Sequence, residues 1–470
     1  MCTHKKDSLA CDSTHPACAA AGNAETEDFS ALIDPKFPDE VAYDERHPTY
    51  NGGWTKAVPT EDTDIATDSL DEPHLKRRAA ILARYPDIEK LNGVEPLTKY
   101  VAVALVVTQI ATTYLWGHYM GGWSNWWMVL CAYTVGASIV QASGVILHEC
   151  CHSLCFKSPL ANRMLGLFVN LSLVVPIAAS FRRYHLEHHA FQGVKGKDPD
   201  LPLAFEYKLI HNNPLAKSLW IFCYPVWYLV RSIALKKKPT AWEIYNVILT
   251  LMWDVVIWKT CTARGFAYMA LSLWLGYGVH PAAAHFIQEH YTFDDGQETY
   301  SYYGILNHLF MNIGYHNEHH DFTRVPWTKL PSITARAPEF YKTINYHTSW
   351  VMVHINFIFR RDVGPISRVG RSMEDHKKGR KQLLHPGRVR YQRDAAATTT
   401  AASYVVKSSR VAASTTAAAT SKLASSLLPK VSLVVADAQT LASPSEMVPV
   451  PVEHVDQAEL HRRNVAVPAR

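Results

Sequence analysis

The chain has 470 residues, 48% of them hydrophobic, and a net charge of +5. Its mean hydropathy of −0.09 conceals a segregation, because residues 1–95 and 371–470 are polar while the middle is strongly apolar. So small a charge excess, with Lys and Arg set beside the apolar runs, argues against a nucleic-acid partner and suits a membrane surface.

The nine Cys show neither paired metal spacing nor a secreted disulfide framework, so a reduced, cytosol-facing protein is expected. The first thirty residues hold no signal-type apolar core, and Cys2 stands where N-myristoylation needs Gly. Residues 1–70, rich in Asp, Glu, Thr, Ser and Pro without apolar periodicity, are expected to be a disordered extension. Residues 71–85 predict a helix with Pro73 in its first turn, whose Lys76, Arg77 and Arg78 suit acidic headgroups or plain solvent.

Residues 101–118 form the first run long enough to cross a bilayer, which takes roughly 20 apolar residues. An uncharged turn, 121–126, separates it from a second run, 127–147. Basic residues flank the start of the first run and are missing from the turn, so the turn should face the lumen. His148 then emerges on the cytosolic side, in a helix expected to continue far enough to align it with His152.

Three histidine words follow the apolar runs: His148-Glu-Cys-Cys-His152, His185-Leu-Glu-His188-His189 and His316-Asn-Glu-His319-His320. At i, i+3 and i+4, helical imidazoles share one face. To share one site the three words must lie on one side of the membrane. The run 164–179, which carries Asn170, Ser172 and Pro176, must then be re-entrant or interfacial. Of the runs 219–234, 244–258 and 266–287, an even number crosses. Arg231, Pro225 and Lys236-Lys-Lys238 mark the first as interfacial, leaving a hairpin around residues 261–265. The expected fold is all-α and integral to the membrane: four transmembrane helices plus interfacial helices under a cytosolic histidine-rich cap, with both termini cytosolic. Asp254, inside one span, is either a functional group that orients a ligand or a partner in helix–helix hydrogen bonding. Residues 371–470 turn basic and then Ala/Thr/Ser-rich, as a disordered tail would.

His148-Glu149-x-x-His152 alone is also the zinc-protease word, with Glu149 as general base. Eight box histidines are too many for one such ion and suit two metals. Imidazole does not name the metal, but a buried lipid chain beside it points to oxidation of an unactivated C–H bond, which needs a redox metal and dioxygen. A lipid-binding scaffold without metal is the non-catalytic alternative; eight clustered imidazoles would then gain little and would charge in mild acid.

The segments Arg182-Arg-Tyr-His-Leu-Glu-His-His189, His280-Pro-Ala-Ala-Ala-His285-Phe-Ile-Gln-Glu-His290-Tyr, Glu298-Thr-Tyr-Ser-Tyr-Tyr-Gly304 and Asn312-Ile-Gly-Tyr-His-Asn-Glu-His-His-Asp-Phe322 resemble the sphingolipid Δ4-desaturases. The resemblance covers about residues 71–370, with 71–98 similar to the family's short N-terminal module and 99–370 to its membrane desaturase domain. It implies conversion of dihydroceramide to ceramide by a trans C4–C5 double bond at a di-iron centre. Dioxygen would be consumed, with electrons from NADH through cytochrome b5 reductase and cytochrome b5, in the endoplasmic reticulum membrane. It carries over as metal ligands His148, His152, His185, His188, His189, His316, His319 and His320. A ninth comes from the last transmembrane helix, where His285 is the best match and His280 and His290 compete. Asn312 could hold a metal-bound water or be an ordinary helix residue, and Asp198-Pro-Asp200 resembles an acidic element suited to a headgroup, a reductase partner or a turn. A sphingolipid C4-hydroxylase, or an enzyme doing both reactions, would use the same ligands. Cys150-Cys151 inside the first box and the long tails depart from the family without removing a ligand.

Overall fold

The computed structural model describes residues 54–57 and 73–384; the expected disordered extension and most of the tail lie outside these. Among the described residues there are helices and turns and no β-strand, only the isolated bridges Val194–Arg371 and Tyr302–His347. Helix α1, Pro73–Arg84, starts on proline, whose missing N–H costs nothing in a first turn, and buries His74 and Ile81, two turns apart on one face. Arg77 on that face points inward, so it does not rest on headgroups.

Three helical stretches are long and apolar enough to cross a membrane: α2, Leu97–His118; α3, Asn125–Cys151, with a π-turn at Ala132–Gly136; and Ala241–Gln288, 48 residues that include α9, Ala241–Tyr277. Their outer faces expose Val103, Val107, Ile248, Leu251, Met252 and Val255, a belt that lipid rather than water would cover. Inner faces pack through small residues. A Cβ on Gly117 would come within 1.9 Å of the Cys261 carbonyl oxygen, and one on Gly136 within 2.0 Å of Ser272 Oγ. Thr262, at φ 62° and ψ 169°, interrupts α9 beside the end of α2, where Thr260 accepts from His118 Nε2 at 2.7 Å.

Between α3 and α9 lie five helices: α4, Pro159–Asn170; α5, Ala178–Ala190; α6, Ala204–Ile210; α7, Pro214–Phe222; and α8, Tyr224–Ala234. Asn170 sets the start of α5: its Oδ1 accepts from the backbone N–H groups of Ile177 and Ala178, both at 2.9 Å, and its Nδ2 donates to Thr250 Oγ1 at 3.0 Å. Arg231, taken from the sequence as a mark of the interface, is instead 1% exposed and forked on Glu206, with both bonds at 2.7 Å. Burial of a paired guanidinium explains the difference, since a charge is tolerated inside when its partner is fully desolvated with it. After α9 come α10, His285–Gln288; α11, Leu306–Leu309; α12, His316–Asp321; α13, Leu330–Arg336; α14, Trp350–Phe359; and α15, Met373–Leu384. Tyr302 stacked on Trp350, with Phe357 against Trp220, anchors the core beneath them.

Candidate metal centre

Helices α3, α5 and α12 each end or run where their imidazoles face one another, and the rings sort into two groups. His148, His152, His185, His189 and His319 form the first, with one nitrogen from each within 4.8 Å of all the others; His188, His290 and His320 form the second on the same criterion. In the first, Nε2 of His185 stands 2.8 Å from that of His152 and 3.1 Å from that of His189, which is 3.1 Å from that of His319. His290 Nε2 is 2.9 Å from those of both His188 and His316, so His316 adjoins the second group. The His189 and His320 rings stack at 4.2 Å and join the two.

Whether these residues fit metal ions is decided by their nitrogens. Burial, helped by neighbouring imidazoles, holds His185, His189, His319 and His320 well below the ordinary histidine range, and does the same to His152 with His148 and Arg182 nearby. These five rings are therefore neutral lone-pair donors. A single N–H cannot serve two neighbours, yet His185 Nε2 faces two, while His148 has both nitrogens and His320 its Nε2 buried without a partner. Nitrogens 2.8–3.1 Å apart are close enough for one ion to be shared between neighbouring rings. The donor set fits two transition-metal ions and does not say which element.

Carboxylates brace the second group. Asp198 Oδ1 lies 3.0 Å from His188 Nδ1, and its Oδ2 accepts from Gly193 N–H at 2.7 Å. Burial works against charging His188, but Asp198 overrides it and holds the ring above its usual range. Glu289 sits 2.6 Å from His285 Nδ1 and 3.6 Å from His316 Nδ1; burial opposes its charge, and the two rings still bring it down to about 2. Glu318 accepts from Ser301 Oγ at 2.7 Å and Tyr303 OH at 2.6 Å, and from Thr334, pinning α12. Asp321, next to His320, is gripped from the N-terminal helix: Arg77 donates to both its oxygens at 2.6 and 3.0 Å, and His74 Nδ1 stands 2.8 Å away with its ring 4.7 Å from that of His320.

The two groups open on one cavity. Its wall includes His148, His185, His188, His290 and His316 together with Val145, Leu147, Val175, Phe181, Leu273 and Phe286, an apolar trough beside imidazoles.

A family model described as "Fatty acid desaturase" matches residues 124–351, and one described as "Sphingolipid Delta4-desaturase (DES)" matches 69–97. A sphingolipid delta(4)-desaturase DES1-like protein of Arabidopsis thaliana is 41% identical over 313 residues, 66% of this chain and 92% of the relative. The Drosophila melanogaster sphingolipid delta(4)-desaturase DES1 is also 41% identical, over 312 residues, 66% of this chain and 96% of its own. The human sphingolipid delta(4)-desaturase DES1 is 36% identical over 313 residues, covering 66% and 94%. This chain belongs to the sphingolipid Δ4-desaturase family. A Caenorhabditis elegans member, 38% identical over 305 residues, has a name that joins the delta(4)-desaturase to a C4-monooxygenase.

Within this desaturase, the eight box histidines come together, seven in the two groups and His316 against His290. The third word does not converge on one spot, because its rings are shared between the groups. Of the three candidates for a ninth imidazole, His290 stands in the second group. His285 faces Glu289, and His280 Nε2 lies 3.3 Å from Ser138 Oγ. Asn312 is no helix residue: at φ 55° it sits in a turn and donates to the Trp327 carbonyl at 3.0 Å. Asp254 lines neither group nor the cavity, and its buried Oδ1 has no partner. Glu149 is 1% exposed, with Oε1 3.7 Å from His148 Nδ1 and Oε2 accepting from Trp327 N–H at 3.3 Å, the posture of a brace rather than of a base facing a water. Sequence reasoning missed His74, Arg77 and Asp321, which find one another across more than 240 positions, and Glu289, which faces His285 and His316; only the basic helix face and the acidic neighbours of histidines were visible.

Proposed function

We propose that this protein converts dihydroceramide to ceramide by placing a trans double bond between C4 and C5 of the sphingoid chain. The observation that carries the reading is the apolar cavity walled by imidazoles of both groups, in a chain of this family. One iron is assigned to His148, His152, His185, His189 and His319, the other to His188, His290, His316 and His320. Iron held there supplies the redox change and dioxygen activation that an unactivated C–H bond requires. Overall, substrate, dioxygen, two electrons and two protons give ceramide and two waters, the electrons reaching the site from NADH through cytochrome b5 reductase and cytochrome b5.

The chain's own residues do the rest. Val145, Val175, Phe181 and Leu273 hold the alkyl chain and exclude water, so that C4 and C5 rest against the histidines. Asp198, Glu289 and Asp321 orient the second group. His285 acts through Glu289, and Asn312 and Asp254 take no part in the assigned metal sites.

For topology we assign four crossings, with a reversal at Thr262, both termini in the cytosol and residence in the endoplasmic reticulum. Supporting it, Asn246 accepts from Ala179 N–H near the second box, Thr260 meets the far end of α2, and the Gly276 carbonyl accepts from Gln141 near the first. Residues 71–98 and 99–370 then act as one catalytic body.

Expression in cells deleted for their own enzyme, followed by lipid mass spectrometry, tests the reading: labelled dihydroceramide becomes ceramide, and unchanged label overturns it. The C. elegans relative's name favours a second reading, C4 hydroxylation to phytoceramide, by the same ligands; the same product analysis separates the two.

A further inference from the structure

Besides imidazole nitrogens, the cavity wall carries a buried hydroxyl that has no partner among the described residues. Tyr224 lines the cavity from α8, 3% exposed, its ring stacked on Phe286 at 5.2 Å and its hydroxyl buried without a hydrogen bond. Burial holds the phenol well above its ordinary pKa, so it keeps a proton to donate. If Tyr224 only filled space, phenylalanine would fill it equally well without stranding a hydroxyl.

Asp200 lines the same cavity and is close enough to bear electrostatically on Tyr224. Arg368 fixes one carboxylate oxygen of Asp200 at 2.8 Å, and the Asp200 backbone N–H donates at 2.9 Å to Asp198 Oδ1, the atom that backs His188. The two groups therefore lie at the histidine-lined part of the cavity. In the substrate of the functional reading, on which this inference rests, the C3 hydroxyl, the amide and the C1 hydroxyl follow C4 within four bonds. At about 1.5 Å per bond, all three polar groups fall within roughly 6 Å of the reacting carbon.

We propose that Tyr224 and Asp200 form the subsite for the N-acylated amino-diol head: the Tyr224 hydroxyl donates to one of its oxygens and the Asp200 carboxylate accepts from one of its hydroxyls. This subsite distinguishes a ceramide-type lipid from a plain acyl chain, because a site built to bond a hydroxyl rejects the analogue that lacks it.

The test compares full-length wild type and Tyr224→Phe in membranes free of endogenous activity, using dihydroceramide and analogues with hydrogen in place of the C1 or the C3 hydroxyl. Wild type should prefer dihydroceramide over at least one analogue, whereas the variant should lose that preference and show a KM raised about ten-fold, the worth of one hydrogen bond. Asp200→Asn should blunt the preference too. In detergent, the metal-free variant should melt no lower than wild type, and dihydroceramide should raise its Tm less. A variant with wild-type KM and preference overturns the proposal. So does one with lowered Tm and equally raised KM for every analogue, which marks a packing role. A wild type that leaves dihydroceramide unconverted is recognised before any variant is compared and overturns the functional reading itself.

Discussion

The two imidazole groups are drawn from the same sequence words and are held by different means. The first is ring against ring: His148, His152, His185, His189 and His319 rest on α3, α5 and α12, with Glu149 behind His148 at 3.7 Å. The second leans on buried carboxylates, with Asp198 behind His188, Glu289 beside His316, and Asp321 locked to His74 and Arg77 across more than 240 residues of chain. A site built by helix packing should tolerate changes around it and fail only when a ligand goes. One built by buried carboxylates should fail at a distance.

The sharpest break is loss of a first-group ligand. His189→Ala should remove product formation and lower iron content, measured by lipid mass spectrometry and metal analysis; a metal content equal to wild type would end the assignment. In the second group Asp198→Ala should cost about 10–100-fold in metal affinity or activity, read by titration of the metal-free protein. Arg77→Ala leaves Asp321 buried with part of its compensation gone, at a cost of about 3–5 kcal/mol in thermal unfolding, and should deplete iron more than a surface substitution on α1 does. Glu149→Gln keeps the volume and one acceptor oxygen, so activity should fall by no more than about tenfold, as for a lost hydrogen bond; abolition with retained metal would favour a general-base role. The smallest effect is expected at Asp254, where Asp254→Asn should leave ceramide formation unchanged and favour membrane insertion.

Much of the centre was legible because it is local. In each HxxHH word the i+4 ring lies about 40° from the first around the helix, and the i+3 ring about 60° to the other side. The structure uses that split. His185 and His189 serve the first group and His188 the second; His316 and His320 face the second and His319 the first. The apolar runs were equally plain, since lipid imposes a length and a composition. Arg231 was legible only as a lone cation in an apolar stretch; that Glu206 closes on it is seen in the structure alone. The ninth imidazole was ambiguous for a related reason: His280, His285 and His290 follow one another within about three turns, and only the end of α10 decides which ring reaches His188.

The sequence by itself determined that apolar helices would carry histidine words, which residues could ligate, and the class of chemistry that neutral imidazoles beside a lipid chain can support. Tertiary structure alone decided how the rings divide between two groups, and that the helix beginning at Pro73 is built into the second of them. It also placed an unpartnered Tyr224 hydroxyl in the cavity. The reason is physical: helical periodicity is set by a few neighbouring residues, whereas the partner of a buried charge or hydroxyl is chosen by packing between segments the chain keeps far apart.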